Sequence, residues 1–347
     1  MIEICFLLVI SFIGTRYALP HSIRKLESAG YVAKDMYKID KPQIPTNVGI
    51  VILFISYISI CILPFASRVF NRFFNSEFYF SGLSETHTAL LLVVSVYSFY
   101  GLVDDLVDIG RLLKVLLPIL FSIPLIEVVN PENLILPYFG EYNLSTTLYA
   151  DFKWSDIFKI LIIPIYIMVV SNLVNMHSGY NGLQTGLTII LLTTLVLKSI
   201  FEGEIKSIVP VGAFLGSLIA FWRYNFYPAR AFEGNIGSLL SGSVIGGVIV
   251  VQQYWFFGFF ILMPHTFNFI LWIIWLVNMR RYPNVHLNTE GHHTKFGSLS
   301  SNGTIQVPNN LTLKWIPNYY FELSEKQSTV ISYFITLSFC IIGLIFL

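Results

Sequence analysis

Gly101-Leu-Val-Asp-Asp-Leu-Val-Asp-Ile-Gly-Arg-Leu-Leu-Lys114 follows an apolar run from Thr88 to Val103. That run is most of the roughly 20 residues a helix needs to cross a bilayer. Asp104, Asp105 and Asp108 therefore stand at a membrane boundary. Carboxylates there are costly unless something positive sits on them, and a divalent cation is one candidate. Mg²⁺ is usually held by one or two carboxylates together with the phosphates of a substrate. If the segment stays helical, Asp104 and Asp108 share a face and Asp105 points about 100° away. Three ligands on one ion fit that geometry poorly. It suits a division of labour, with one carboxylate on metal and another on substrate. A solvated helix end is the plainer alternative.

Composition agrees with a membrane setting. Of 347 residues, 55% are hydrophobic and 12% charged, against about 25% charged in a soluble domain. Mean hydropathy is +0.69. The chain reads as an all-α, polytopic membrane protein, with a lipid bilayer as its surroundings and no sign of a nucleic-acid partner. Cys5, Cys61 and Cys340 lie far apart in apolar runs, without metal-ligand spacing or a disulfide framework. Met1 to Gly14 lacks a basic start and a small-residue cleavage site, so it reads as a retained first helix.

About ten spans are expected, at 2–20, 48–66, 86–103, 115–129, 157–176, 183–200, 207–222, 236–252, 255–278 and 328–346. The fourth is short and carries Pro118 and Pro124, which neighbouring helices can accommodate. Residues 1–347 form one integral-membrane domain, with loop 280–327 as a substrate-recognition insert. Loops after the odd-numbered spans carry fourteen Lys and Arg, and the opposite loops six. The first set is therefore cytoplasmic. Segments 31–47, 104–114, 172–182, 223–238 and 280–327, picked for their polar chemistry, all fall on that side and point to one cytoplasmic site.

Each motif has two readings. Lys38-Ile-Asp-Lys-Pro-Gln-Ile-Pro-Thr-Asn-Val-Gly49 is either a helix start capped by Thr46 or Asn47 or a loop carrying Asn47 to a ligand. Lys114 can neutralise a phosphate or snorkel at the interface. Asn172 to Gly186 is denser in Asn and Gly than a turn requires. Asn amides offer oxygen to a cation or read a base edge. His177 in that stretch reads as a structural hydrogen-bonding group. Gly234 and Gly237 flank Asn235 at a helix start, where backbone amides favour anions. Gly237, Ser241 and Gly242 suit close helix packing. His292, His293 and Lys295 can contact phosphate or belong to a solvated loop. Asn143, Asn302 and Asn310 match the glycosylation pattern, and only Asn143 lies on the outer face.

Together these segments resemble the polyprenyl-phosphate N-acetylhexosamine-1-phosphate transferases, closest to the eukaryotic–archaeal branch that starts dolichol-linked glycan assembly. The resemblance runs through Gln43-Ile-Pro45, Gly101-Leu-Val-Asp-Asp105, Lys114-Val-Leu-Leu-Pro118 and Asn175-Met-His-Ser-Gly-Tyr-Asn-Gly-Leu183. It continues in Tyr227-Pro228, Phe232-Glu-Gly234 and Met263-Pro-His-Thr-Phe-Asn268. It implies a ten-helix fold with a cytoplasmic site that moves a sugar-1-phosphate from a UDP-sugar to polyprenyl (dolichyl) phosphate, releasing UMP. Mg²⁺ is the implied cofactor, with Mn²⁺ as its substitute. Asp105 and Asn175 match metal or catalytic positions, and Asp104 belongs to the acidic pair. Lys114 matches a pyrophosphate contact, and Asn181 and Phe232 match positions near the uridine. Two departures stand out. Asn235 replaces a usual Asp metal ligand, which removes one charge that Asp108 could supply. Pro283-Asn-Val-His286 and the 292–295 cluster replace a basic His-Arg-x-Pro-Arg segment.

The acceptor phosphate is largely dianionic at pH 7, so the harder task is bringing two anions together. A cation and Lys114 would screen them while UMP leaves, and Asp104 would orient the acceptor. Direct attack is preferred, with a covalent Asp intermediate left open. Two rivals are a membrane prenyltransferase, from the Asp-Asp-x-x-Asp spacing, and a transporter, which would place charge at mid-helix. The sequence leaves open the sugar and the oligomeric state, a homodimer being one arrangement. An archaeal plasma membrane is favoured over endoplasmic reticulum.

Overall fold

A computed structural model describes residues 1–74, 82–107, 109–110, 112–137, 139–282 and 296–347. Asp108, Arg111, the 283–286 segment, His292, His293 and Lys295 lie outside the described residues. The chain opens with helix α1 (Ile2–Ser28) and a hairpin of β1 (Val32–Lys34) with β2 (Gln43–Pro45). Helices α2 (Gly49–Phe74) and α3 (Glu85–Val107) follow, then the short α4 (Leu113–Leu120) and α5 (Ile123–Val128). Two more hairpins come next, β3 (Asn133–Leu136) with β4 (Gly140–Asn143) and β5 (Thr147–Tyr149) with β6 (Phe152–Lys153). A turn of helix, α6 (Trp154–Ile157), runs through a π-helical stretch into α7 (Ile163–Met176). Next are α8 (Leu183–Phe201), α9 (Val211–Asn225), α10 (Gly234–Val251), α11 (Trp255–Ile261) and α12 (Met263–Arg281). A last hairpin, β7 (Ser298–Leu299) with β8 (Ile305–Gln306), leads to α13 (Ile316–Tyr320) and α14 (Glu325–Phe346).

Among the described residues, seven helices are long and apolar enough to cross a membrane, and the α11–α12 pair, bent by 64°, brings the number to eight where it is counted as one broken span. The protein is a multi-pass, all-α membrane protein. The two other expected spans differ in form. The 115–129 span is broken between α4 and α5 at Phe121 and Ser122, with Pro124 opening the second piece. Proline costs little in a first turn, where its missing N–H has no partner to lose. The 207–222 span is a 3₁₀ turn followed by the 15-residue α9.

Helix α10 is the centre of the bundle, with 83% of its membrane window buried. Small residues let its neighbours approach closely. A Cβ on Gly101 of α3 would collide with the backbone carbonyl of Asn235, and one on Gly49 of α2 with the backbone of Gly237. Gly242 lies against the backbone of Ser171 in α7. The glycines expected to pack therefore do so, with α3 held against the first turn of α10 and α7 against its middle. The ends bearing Asp105, Asn175, Asn181 and Asn235 all come to one end of the bundle.

A smaller core lies at that end. Tyr37, Tyr180, Leu183, Leu187, Ile305 and Trp315 pack together. The Trp315 indole donates to the Tyr37 hydroxyl at 3.2 Å, and the Tyr180 hydroxyl donates to Asn318 Oδ1 at 2.9 Å. The described part of the 280–327 loop is thus folded beneath the 178–181 turn.

Candidate active site

Asp105 leaves the last turn of α3, Asn175 the last turn of α7, and Asn235 the first turn of α10. The same three residues, with Asn181, Phe232 and Ser238, line one cavity of about 330 Å³. Asp104 lies behind it and is 8% exposed. Its Oδ1 accepts from Lys114 Nζ at 2.8 Å and from the Ile109 N–H at 3.0 Å. Its Oδ2 accepts from the Asn235 side-chain nitrogen at 2.9 Å. Asp105 Oδ2 accepts the Asn235 backbone N–H at 2.7 Å. The Ser238 hydroxyl donates to Asn175 Oδ1 at 2.8 Å.

These contacts decide which atoms face the cavity. Only the nitrogen of an amide can donate to a carboxylate. The Asn235 oxygen is therefore turned away from Asp104, and among the described residues it has no hydrogen-bond donor. The Ile236 backbone N–H also reaches the Asp105 carboxylate. Among the described residues no three His, Cys, Asp or Glu side chains converge, so no all-protein cage exists there. One carboxylate and two amides converge instead. Oxygen donors of this kind and number fit Mg²⁺, which keeps positions open for water and substrate phosphates. Lys114, 35% exposed at its side chain, is anchored on Asp104 at the edge of this arrangement.

Asn47 is placed differently from a ligand-facing residue. It is 5% exposed, adopts φ of 63°, and lies beside Gly234 without lining the cavity. Among the described residues its side-chain oxygen accepts no hydrogen bond. The Val48 and Gly49 N–H groups instead donate to the carbonyls of Phe232 and Glu233 at 3.1 and 2.9 Å, and the Phe232 N–H donates to Pro45 at 2.8 Å. This exchange stitches the 45–49 segment to the Phe232 loop, and backbone takes the place of a side-chain cap.

Several lining residues were not singled out in the sequence as ligand contacts. Glu233 is buried, with its Oε1 3.4 Å from the Thr185 hydroxyl. Burial pushes its carboxyl up to about 8, and the Thr185 hydrogen bond offsets part of that. Gln184 and Thr46 also line the cavity. Spacing could have suggested Gln184, one turn of backbone beyond Asn181. His177 is buried against His265, ring centroids 4.6 Å apart. Among the described residues neither of its nitrogens has a hydrogen-bond partner, so the structural hydrogen bond expected of it is not made there. Burial holds the His177 imidazole well below its usual range, with His265 and Lys314 adding to the effect.

The cavity gathers a carboxylate and two amides at one end of a membrane bundle, with Lys114 held on Asp104 nearby, and comparison with known proteins gives the class, a membrane transferase. Residues 87–253 match glycosyl transferase family 4. A Sulfolobus acidocaldarius protein, provisionally named a UDP-N-acetylglucosamine–dolichyl-phosphate N-acetylglucosaminephosphotransferase, is 30% identical over 270 residues, 76% of this chain and 75% of the relative. A Leishmania amazonensis protein with the same enzyme name is 24% identical over 349 residues, covering 77% and 72% of the two chains. A phospho-N-acetylmuramoyl-pentapeptide-transferase of Clostridium kluyveri is 30% identical over 172 residues, 46% of this chain and 53% of its own. The chain belongs to glycosyl transferase family 4.

Proposed function

We propose that this protein transfers N-acetylglucosamine-1-phosphate, or a close N-acetylhexosamine analogue, from its UDP-sugar to dolichyl or polyprenyl phosphate, with release of UMP. This is the first step of lipid-linked oligosaccharide assembly for N-glycosylation. The observation that carries the reading is the shared cavity wall. Asp105, Asn175 and Asn235 line it together with Asn181 and Phe232, so a cation held by the first three would adjoin a nucleotide held by the other two, as a diphosphate donor needs. The enzyme names of the Sulfolobus and Leishmania relatives support the choice of substrates. The excess of Lys and Arg on the loops at this end supports a cytoplasmic site, in the plasma membrane for an archaeal source.

Asp105, Asn175 and Asn235 would hold Mg²⁺. When bound, the metal supplies positive charge against the diphosphate and the incoming phosphate. The protein's own groups do the rest. Lys114 adds a second positive charge at the rim, and Asp104 fixes where it stands. Asp104 also sets the direction of the Asn235 amide. The acceptor is mostly dianionic, so positioning and charge stabilisation carry the transfer with little need of a base.

The test is direct. Purified protein is given labelled UDP-sugars with dolichyl or undecaprenyl phosphate, with and without Mg²⁺. UMP and a lipid-linked sugar diphosphate should appear in equal amounts, and chelation should stop both. Sugar uptake into vesicles without UMP release would refute the proposal.

A further inference from the structure

Arg223 stands in the last turn of α9 and Arg230 in the loop that follows it. Both line a second hollow of about 330 Å³, walled otherwise by Trp222, Phe226, Tyr227 and Pro228. None of these six lines the cavity that carries Asp105, Asn175 and Asn235. The loop is a partition between the two. Its Ala229 and Ala231 are buried, the Ala229 N–H donating to Asn181 Oδ1 at 2.9 Å and the Ala231 carbonyl accepting from the Asn225 amide at 2.9 Å. Its Tyr227, Pro228 and Arg230 are exposed.

The Arg230 side chain is held in place. Its guanidinium lies over the Tyr224 ring, 4.5 Å from the centroid, and its Nη2 donates to the Arg223 carbonyl at 3.4 Å. That carbonyl is among the last of α9, which the helix itself leaves unsatisfied. Capping accounts for one of five guanidinium N–H groups. Among the described residues neither Arg230 nor Arg223 meets a carboxylate. A third cation, Lys326, stands 6.0 Å from the centroid of the Phe226 ring. Glu325 beside it is buried and turned away, onto Lys38 and the Asn181 backbone N–H. The floor of the hollow is aromatic. Trp222 lies tilted on Phe226, centroids 4.8 Å apart, and its indole N–H donates to the Tyr333 hydroxyl at 3.1 Å.

We propose that this hollow binds the phosphate of an anionic phospholipid from the leaflet at this end of the bundle. Arg230 offers a guanidinium fork that suits phosphate oxygens, while Arg223 and Lys326 add charge. The Trp222–Phe226 pair gives the glycerol and first methylenes an apolar seat, as aromatic rings do where hydrocarbon meets headgroups. A charge bias between the two sides of a membrane asks only for Lys and Arg on one side. It does not ask for a guanidinium stacked on a ring beside a hollow. Free phosphate shares the charge but has nothing to lay on the rings. The inference is independent of the transferase reading, because it uses no residue of the catalytic cavity.

Native mass spectrometry of the full-length protein in a neutral detergent reads this directly. The protein is titrated with phosphatidylglycerol or phosphatidylcholine, with and without inorganic phosphate. The wild type should hold phosphatidylglycerol at least about tenfold more tightly. Arg223→Gln and Arg230→Gln should each weaken it by about fivefold, the worth of one basic side chain at an anionic surface. The double variant should retain one phosphatidylglycerol fewer, with phosphatidylcholine unchanged. Arg230→Lys, which keeps the charge and gives up the fork, should fall between wild type and Arg230→Gln. Loss of a capping contact alone would affect both lipids equally. A wild type without preference between the lipids, or a double variant that keeps the wild-type preference, overturns the proposal. Displacement of the lipid by inorganic phosphate would make this a plain anion site and overturn the lipid assignment. If the double variant does not fold, Arg223→Gln decides, since that side chain is exposed and caps nothing.

Discussion

Asn235 and Asn181 are the same residue type in the wall of one cavity, and they are turned in opposite senses. Behind Asn235 stands a carboxylate, Asp104, which takes the amide nitrogen and leaves the oxygen outward. Behind Asn181 stand an ammonium and a backbone N–H, which take the oxygen and leave the nitrogen outward. One amide can therefore serve a cation and the other a hydrogen-bond acceptor. Amides have no charge of their own to bias this choice. The sign of the group behind them decides, and the paired ions Lys114–Asp104 and Lys38–Glu325 hold those groups in place.

The largest expected effect lies on the cation side. Asp105→Asn leaves the Asn235 backbone N–H an acceptor but removes the only carboxylate charge in the proposed metal set. kcat should fall by roughly three orders of magnitude, as for loss of a central electrostatic group. Membrane insertion and elution as a folded protein should be unaffected, because the substitution is isosteric. Turnover within tenfold of wild type would remove Asp105 from the metal set and leave the comparison with only its nucleotide half.

The parts of this site that could be read from sequence are those carried by consecutive residues. The Asp104–Asp105 pair, the Asn175–Asn181 stretch and Phe232 to Asn235 each stand out locally, and the last turn or first turn of an apolar helix places them at a common boundary. Orientation within the site was not legible. Lys38 and Glu325 look like ordinary interfacial charges, and nothing within a dozen residues of either hints at the other. The break at Phe121 and Ser122 is similar. Pro118 and Pro124 signal a disturbed helix, but whether it kinks or divides depends on partners such as Tyr97, whose hydroxyl donates to the Pro118 carbonyl at 2.8 Å.

Asn235→Asp sharpens the comparison from the other direction. It restores the carboxylate usual at this position in the resembled transferases, but places it where Asp104 now accepts a hydrogen bond at 2.9 Å. Two carboxylates in contact repel unless a proton or a cation lies between them. Without Mg²⁺ the variant should melt lower than wild type, on the order of 3 °C. Added Mg²⁺ should stabilise it more than it stabilises the wild type, because a ligand that binds only the folded state shifts melting in proportion to its affinity. Equal Mg²⁺ responses would mean that residue 235 does not face the ion.

The smallest effect tests whether charge behind the cavity is kept at a cost to folding. Lys314 reaches under the 178–181 turn, where its ammonium donates to the Ser178 carbonyl at 2.7 Å. Burial pushes it down to about 8, with Glu325 acting in the opposite sense. A lysine in the unfolded chain titrates near 10.4. Between these values the unfolded chain holds a proton that the folded chain has released, so this group makes stability rise with pH across the window from about 8 to 10.4. The cost of burying this ammonium is absent above the upper limit, grows as pH falls through the window, and is complete below about 8. Lys314→Met should therefore flatten the change in melting temperature between pH 7.5 and 10 relative to wild type. At the same time it should loosen the turn that carries Asn181 and weaken UMP. A flattened profile with unchanged UMP affinity would show that Lys314 burdens the fold without serving the site, and would confine the positioning role to Lys38 and Asp104.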